Sequence, residues 1–292
     1  MLQLEIKDCH PNDAELMVSI LERAGTLSLT MTDAFDDAIL EPELGTYPLW
    51  PHVVIHALFA DHDKANLAKL IIQEKYPAHG CILQELPEQD WERVCMADFK
   101  PLQFGNRLWI CPSWLTPPDP KAINLTLDPG LAFGTGTHET TSLCLEWLAQ
   151  HSIEQLEVID YGCGSGILAL AAIKLGARYV HAIDIDRQAL EATVNNAKMN
   201  QISSQQLSTH TPEQIDSCVD LIIANILLTP LLQLKQRFAQ LLNENGTLIV
   251  SGVITEQTVQ LIDSYHDSFC HIETTIDGNW ALLMFVKKPE GN

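Results

Sequence analysis

The sequence predicts an α/β protein: a doubly wound, mostly parallel sheet with an antiparallel hairpin at its edge, preceded by a small α+β domain. Three observations carry this. From residue 121 onward, apolar strand-like runs alternate with amphipathic helix-like runs, the pattern of βα units feeding a parallel sheet. The strand-like run "LEVIDYG" ends in the glycine-rich turn "GCGSG", where an open α/β sheet places its ligand. The first 86 residues follow a different order, β-α-β-β-α-β, which suits a ferredoxin-like sandwich. At 292 residues the length suits two domains of about 150 each.

In chain order, residues 1–86 read as strand "LQLEIK", helix "DAELMVSILERAG", strands "LSLTM" and "HVVIHALFA", helix "HDKANLAKLIIQEKY" and strand "GCILQEL". The acidic, proline-containing stretch "TDAFDDAILEPELGTYPLW" reads as a loop. Residues 87–120 are a connecting segment, a helix and then a hairpin turning at Gly105-Asn106, holding Trp91, Trp109 and Trp114. Aromatics at that density form a binding face or glue a linker to a domain. Residues 121–292 then give strand "AINLTL", helix "ETTSLCLEWLAQ", strand "LEVIDYG", helix "GILALAAIKLGA", strand "YVHAIDI", helix "RQALEATVNNAKMN", strand "VDLIIANI", helix "LLQLKQRFAQLL", strand "GTLIVSGV" and helix "EQTVQLIDSY". Two last strands pair through Gly278-Asn279.

Composition narrows the function. The net charge is −21, and residues 1–80 alone hold 5 basic against 13 acidic side chains. Binding to naked nucleic acid needs a basic stripe, whereas an acidic surface steers towards lysine-rich protein. The N-terminus lacks the basic and apolar regions of a signal peptide, and "LIIANILLTPLLQL" is broken by Asn225 and Pro230, so a cytoplasmic, non-membrane protein is expected. Eight scattered cysteines, never closer than fourteen positions, read as free thiols. His52 and His56 have helical spacing but sit in a β-branched run without the glutamate of a zinc motif, so they read as strand residues; no metal site is expected.

The chemistry gathers at two glycine-rich turns. In "DYGCGSG", Gly162, Gly164 and Gly166 let the chain bend sharply and let a ligand touch main-chain atoms around Cys163. A dinucleotide fingerprint would need glycine where Ile167 stands. The G-x-G-x-G spacing, with Asp160 two residues ahead, suits S-adenosylmethionine, which has no phosphates. Asp184, twenty-two residues after Gly162, stands where a carboxylate accepts both ribose hydroxyls; capping the next helix is its other reading, a role Asp186 fills well. Asn225 ends the strand "VDLIIANI", either closing the strand as a turn residue or orienting an amine towards a methyl group. The other turn, "FGTGTHETT", has no phosphate-loop lysine; its helix, starting near Thr137 as cap, offers N–H groups to a carboxylate, and Thr141 adds a hydroxyl. Phe133, Thr137 and His138 form a candidate lid over the site.

Together these stretches resemble the PrmA family, methyltransferases of large-subunit ribosomal protein eleven. The matching residues are "DWER" with Phe99, "FGNRLWICPSW" (104–114), "LDPGLAFGTGTHETTSLCLEWL" (127–148), "VIDYGCGSGILALAAIKLGA" (158–177), "IDID" (183–186) and "ANIL" (224–227), so the similarity covers nearly the whole chain. The resemblance implies a class I methyltransferase fold of Rossmann-like type, with S-adenosyl-L-methionine as cofactor. It also implies an N-terminal ferredoxin-like domain that recognises the ribosomal protein, free or on the ribosome, and moves on its linker. Trimethylation of the α-amino terminus and of lysine side chains follows from it as well. Carried onto this chain, cofactor contacts fall on Thr141, Gly162, Asp184 and Asn225, with Asn225 also facing the amine. The sequence departs from the family at Cys95, where a second linker tryptophan is expected, and in the tail "DGNWALLMFVKK".

No histidine or carboxylate neighbours Asn225 in sequence, so no dedicated base is expected and the amine's proton leaves to water; His138 is the residue that could overturn this. A monomer is expected. The rival readings are a methyltransferase of rRNA, of another protein or of a small molecule, and a cofactor-binding assembly factor without catalysis. A nicotinamide dehydrogenase is disfavoured by Ile167.

Overall fold

The structure is a computed structural model that describes residues 1–35, 37, 39, 46–87, 99–128 and 136–289. Most of the expected linker helix, with Trp91 and Cys95, and the lid residue Phe133 lie outside the described residues. The chain divides into two compact units, residues 1–96 and 97–292.

The first unit contains β1 (Leu2–Cys9), α1 (Pro11–Arg23), β2 (Ser28–Asp33), β3 (Val53–Phe59), α2 (His62–Lys75) and β4 (Cys81–Glu85). Its strands lie in the order β2-β3-β1-β4, each neighbouring pair antiparallel. Period-two burial on β1 and β3 sends Leu4, Ile6, Ile55 and Ala57 to one face, where they meet Ala14, Met17 and Leu21 of α1 and Ala65, Ala68 and Ile72 of α2. Asp61 caps α2 by accepting from the Asp63 and Lys64 amides. His56 lies on β3, as expected, with its Nδ1 2.6 Å from Gln3 Nε2. Among the described residues no three metal-ligating side chains gather, and the seven described cysteines are free thiols.

The second unit begins with β5 (Leu102–Phe104) and β6 (Leu108–Cys111), the hairpin expected at Gly105-Asn106. The strand "AINLTL", expected as the opening strand of the βα units, is β7 (Ile123–Thr126), and it pairs in parallel with β6 in a separate three-stranded sheet. Its last residue is also tied 74 positions along the chain: Asn200 accepts from Thr126 N at 2.8 Å and donates to Thr126 O at 2.7 Å, so one side-chain amide satisfies both backbone groups of Thr126.

The large sheet holds β8 (Glu157–Tyr161), β9 (Tyr179–Ile183), β10 (Leu207–His210), β11 (Val219–Asn225), β12 (Leu242–Ile254), β13 (Phe269–Asp277) and β14 (Trp280–Lys287). Its order is β10-β9-β8-β11-β12-β14-β13, parallel from β10 through β12 and antiparallel at β14 and β13. The expected antiparallel edge hairpin is present. β10 is an addition, since the sequence reading passed from helix to "VDLIIANI" without it. Helices α3 (Glu139–Gln150), α4 (Ile167–Lys174) and α5 (Arg187–Met199) contribute to the core on one face; α6 (Leu228–Leu241) and α7 (Thr258–Tyr265) contribute to that on the other. Both sheet faces are therefore covered, which explains why β8 and β11 are buried along almost their whole length. Helix α4 is buried from Ile167 through Ile173. No helix among the described residues is long and apolar enough to cross a membrane.

Candidate active site

Strand order reverses between β8 and β11, and the carboxyl ends of those strands deliver the residues singled out above. After β8 the chain turns through Gly162, Gly164 and Gly166 with φ of 82°, 54° and 81°, a left-handed region that favours glycine. The amides of Gly162 and Cys163 both donate to Ile183 O, at 2.7 and 2.9 Å, tying the turn to the end of β9. Asp160 serves the same turn from below. Its Oδ2 accepts from Ala169 N at 2.9 Å, so a carboxylate stands at the N-terminus of α4, which Gly166 leaves without a side-chain cap. Asp160 is 1% exposed, its Oδ1 has no partner among the described residues, and burial lifts its carboxyl to about 7.

A cavity of about 340 Å³ opens above this turn, lined by Gly162, Cys163, Gly164, Thr141, Asp184 and Asn225 among others. Six of the seven residues read from the sequence as cofactor-binding thus converge on one space. Gly166 does not line it. A Cβ on Gly166 would stand 2.8 Å from Thr193 Cγ2 and Oγ1, so that glycine answers to the packing of the turn against α5.

The carboxylate of Asp184 is held from two sides, Oδ2 accepting from Gly164 N and Oδ1 from Asp186 N, each at 2.9 Å. Asp186 caps α5 through Gln188 N. Asp186 takes the helix cap expected of it, and Asp184 lines the cavity.

Helix α3 has its cap at His138 rather than at the expected Thr137, because the His138 Nδ1 reaches Thr140 N at 3.3 Å and Thr140 Oγ1 at 2.9 Å. That commits one ring nitrogen of His138 to the helix start. Its ring packs edge-on against Trp280 at 5.0 Å. One turn on, buried Thr141 receives the Asn225 Nδ2 at 3.2 Å. With the amide nitrogen so used, the Asn225 carbonyl oxygen is the group left to accept a proton donor.

Asn225 also lines a second, adjoining cavity of about 480 Å³, with His138, Thr140, Ile226, Gly252 and Trp280. Asn225, Ile226 and Pro230 are common to both cavities. One space suits a cofactor and the other an acceptor group, and the asparagine touches each. Gly252 on β12 and Trp280 on β14 belong to none of the motifs that mark the site in sequence, and Ile226 stands in "ANIL" without a polar group to signal a role. Ile185 was also passed over. It lines the first cavity at 85% exposure between Asp184 and Asp186, and an apolar residue between two acids at a strand end was the signal available.

Comparison with known proteins agrees with this geometry. The chain is 54% identical over 286 residues to the ribosomal protein L11 methyltransferase of Legionella pneumophila (strain Corby), covering 98% of this chain and 99% of that one. It is 45% identical over 286 residues to that of Nitrosococcus oceani, covering 96% of each. The crystal structure of ribosomal protein L11 methylase from Lactobacillus delbrueckii subsp. bulgaricus matches 65% of this chain and 100% of its own length, at 34% identity and a TM-score of 0.60. The profile of the family described as ribosomal protein L11 methyltransferase (PrmA) matches residues 1–288. The chain thus belongs to the PrmA family of ribosomal protein L11 methyltransferases, with the strand order of a class I methyltransferase.

Proposed function

We propose that this protein transfers methyl groups from S-adenosylmethionine to amino groups of ribosomal protein L11, at lysine side chains and the N-terminal amine, with Asn225 as the residue that orients the acceptor nitrogen. Methyltransferase activity and the cofactor follow from the family. The observation that carries the residue assignment is the position of Asn225, shared by two adjoining cavities and steadied by Thr141.

The residues present suit the cofactor's chemistry. Asp184, fixed by two backbone amides, keeps lone pairs for two ribose hydroxyls. Exposed Ile185 gives an apolar surface beside it for the adenine. Gly162, Cys163 and Gly164 present main-chain atoms, and Thr141 brings its hydroxyl to the same cavity from the first turn of α3. When bound, S-adenosylmethionine supplies an activated methyl carbon on a sulfonium. The protein's task is then positioning, since displacement requires the nitrogen in line with that carbon. The Asn225 oxygen accepts from the amine N–H and aims the lone pair. A lysine amine, with a reference pKa of about 10.4, sheds one proton to water before attack. The lid reading of Thr137 and His138 is compatible with His138 lining the second cavity.

In the first unit, the β-α-β-β-α-β order and the β2-β3-β1-β4 sheet support a ferredoxin-like module, to which we assign substrate recognition. The overall charge of −21 favours a lysine-rich partner over RNA. Incubating the protein with labelled S-adenosylmethionine and a ribosomal protein extract tests the proposal. Label should appear in a single small protein, identified as L11 by intact mass. Label in RNA, or none, would reject it.

A further inference from the structure

We propose that Gly252, a residue outside both glycine-rich turns, is a positioning residue for Asn225. The inference rests on the reading of Asn225 given above. Three observations carry it. Gly252 has φ of +85°, and a Cβ there would stand 2.4 Å from Ile226 O, 2.8 Å from Ile226 C and 3.0 Å from Ile226 N. Those are main-chain atoms of the residue that follows Asn225, so no rotamer change relieves the overlap. Next, Gly252 sits at a break in the sheet. β12 pairs with β14 at Val250↔Leu283 and again at Val253↔Ala281, three steps against two, which is a β-bulge at Ser251-Gly252. Ser251 is fully buried, pairs with Asn225 across β11 and β12, and donates its hydroxyl to Ala281 O at 2.9 Å, pinning the bulge to β14. Finally, the Ile226 side chain is stopped on its other side: a Cβ on Gly162 would meet Ile226 Cγ2 at 2.4 Å.

Ile226 is therefore held between two glycines, its main chain on Gly252 and its side chain on Gly162. Asn225 precedes it in the same short turn, and its amide meets Thr141. Added bulk at position 252 moves the Asn225-Ile226 turn as a unit, away from the geometry in which Asn225 faces both cavities. The bulge thus sets the nucleophile's alignment from a strand that carries none of the sequence motifs.

A double-mutant cycle on the full-length protein tests this, with Gly252→Ala, Asn225→Ala and both together. Turnover on purified ribosomal protein L11 and cofactor affinity by calorimetry are the readouts. Gly252→Ala should lower kcat about 10²-fold in the parent, the scale of an ångström-sized misplacement, with a smaller change in cofactor affinity. In the Asn225→Ala background it should cost no more than about twofold, because the group it positions is gone. Gly176→Ala provides the control for backbone strain: φ is +107°, the added Cβ meets Glu154 alone, and kcat should hold. If Gly252→Ala does not fold, Ser251→Ala, which removes the hydroxyl pinning the bulge, is read in the same cycle with the same non-additive outcome expected. An unimpaired Asn225→Ala would defeat the proposed catalytic role itself. An impaired Asn225→Ala with equal Gly252 costs in both backgrounds, no cost in either, or an equal loss from Gly176→Ala, would overturn the present inference alone.

Discussion

Replacing Asp184 by alanine should separate cofactor binding from folding. Two hydrogen bonds leave the protein itself, those from Gly164 N and Asp186 N at 2.9 Å each. Bonds to a charged group contribute about 1.5–3 kcal/mol each, and this half-buried carboxylate takes the lower end, so the pair totals about 3 kcal/mol. For a unit this size that lowers the melting temperature by roughly 6–12 °C, which the fold survives. The cofactor loses more. Two ribose hydroxyls donating to the same carboxylate are worth about 3–6 kcal/mol, or roughly 10²- to 10⁴-fold in Kd. Titration calorimetry with S-adenosylmethionine and with S-adenosylhomocysteine, on protein shown by circular dichroism to be folded, measures the change. Asp184→Asn retains one acceptor oxygen and should fall between parent and alanine variant. A folded Asp184→Ala protein that binds either ligand within about twofold of the parent would refute the ribose assignment.

Asn225→Ala should lower kcat by about 10²- to 10³-fold while cofactor Kd changes less than about tenfold, because the lost interaction is with the reacting nitrogen; steady-state kinetics beside calorimetry gives both numbers. Asp160, lifted by burial from 3.8 to about 7, makes the folded state hold a proton that the unfolded chain has released between those values. Its contribution is fully present below pH about 4 and is lost as pH rises through 7, so the parent should lose more melting temperature between pH 5 and 8 than Asp160→Asn; equal slopes would refute the assignment. Gly166→Ala should destabilise by about 1–3 kcal/mol, since a left-handed turn and Thr193 at 2.8 Å both oppose a Cβ. Gly278→Ala, in a hairpin turn with nothing within 4 Å, should melt closer to the parent by scanning calorimetry.

How far the sequence could be read depended on whether the deciding contact was local. The strands β8, β9 and β11 and helices α3 to α7 announce themselves through apolar period, and the turn at Gly162 to Gly166 through its glycines. Asp186 could be told from Asp184 as the cap because it stands immediately before the helix. β10 is four residues long with Ser208 and His210 half-buried, too short and polar for either period to register. β7 pairs with β6 and is tied at Thr126 to Asn200, far along the chain, and no pattern within "AINLTL" records either contact. The Thr137 cap missed by one residue because histidine is an uncommon cap beside threonine. The second cavity was invisible for a related reason. His138, Asn225, Gly252 and Trp280 meet there from four separate elements, and nothing in the sequence ties Gly252 or Trp280 to the other two.

The central claim is that this site methylates amines of ribosomal protein L11. Intact-mass spectrometry of purified L11, incubated with the full-length protein and S-adenosylmethionine, measures it directly. The account predicts mass gains in whole methyl steps, located by fragmentation at lysines and the N-terminal amine, and lost with Asn225→Ala. L11 left at its starting mass by folded protein that binds the cofactor would contradict it.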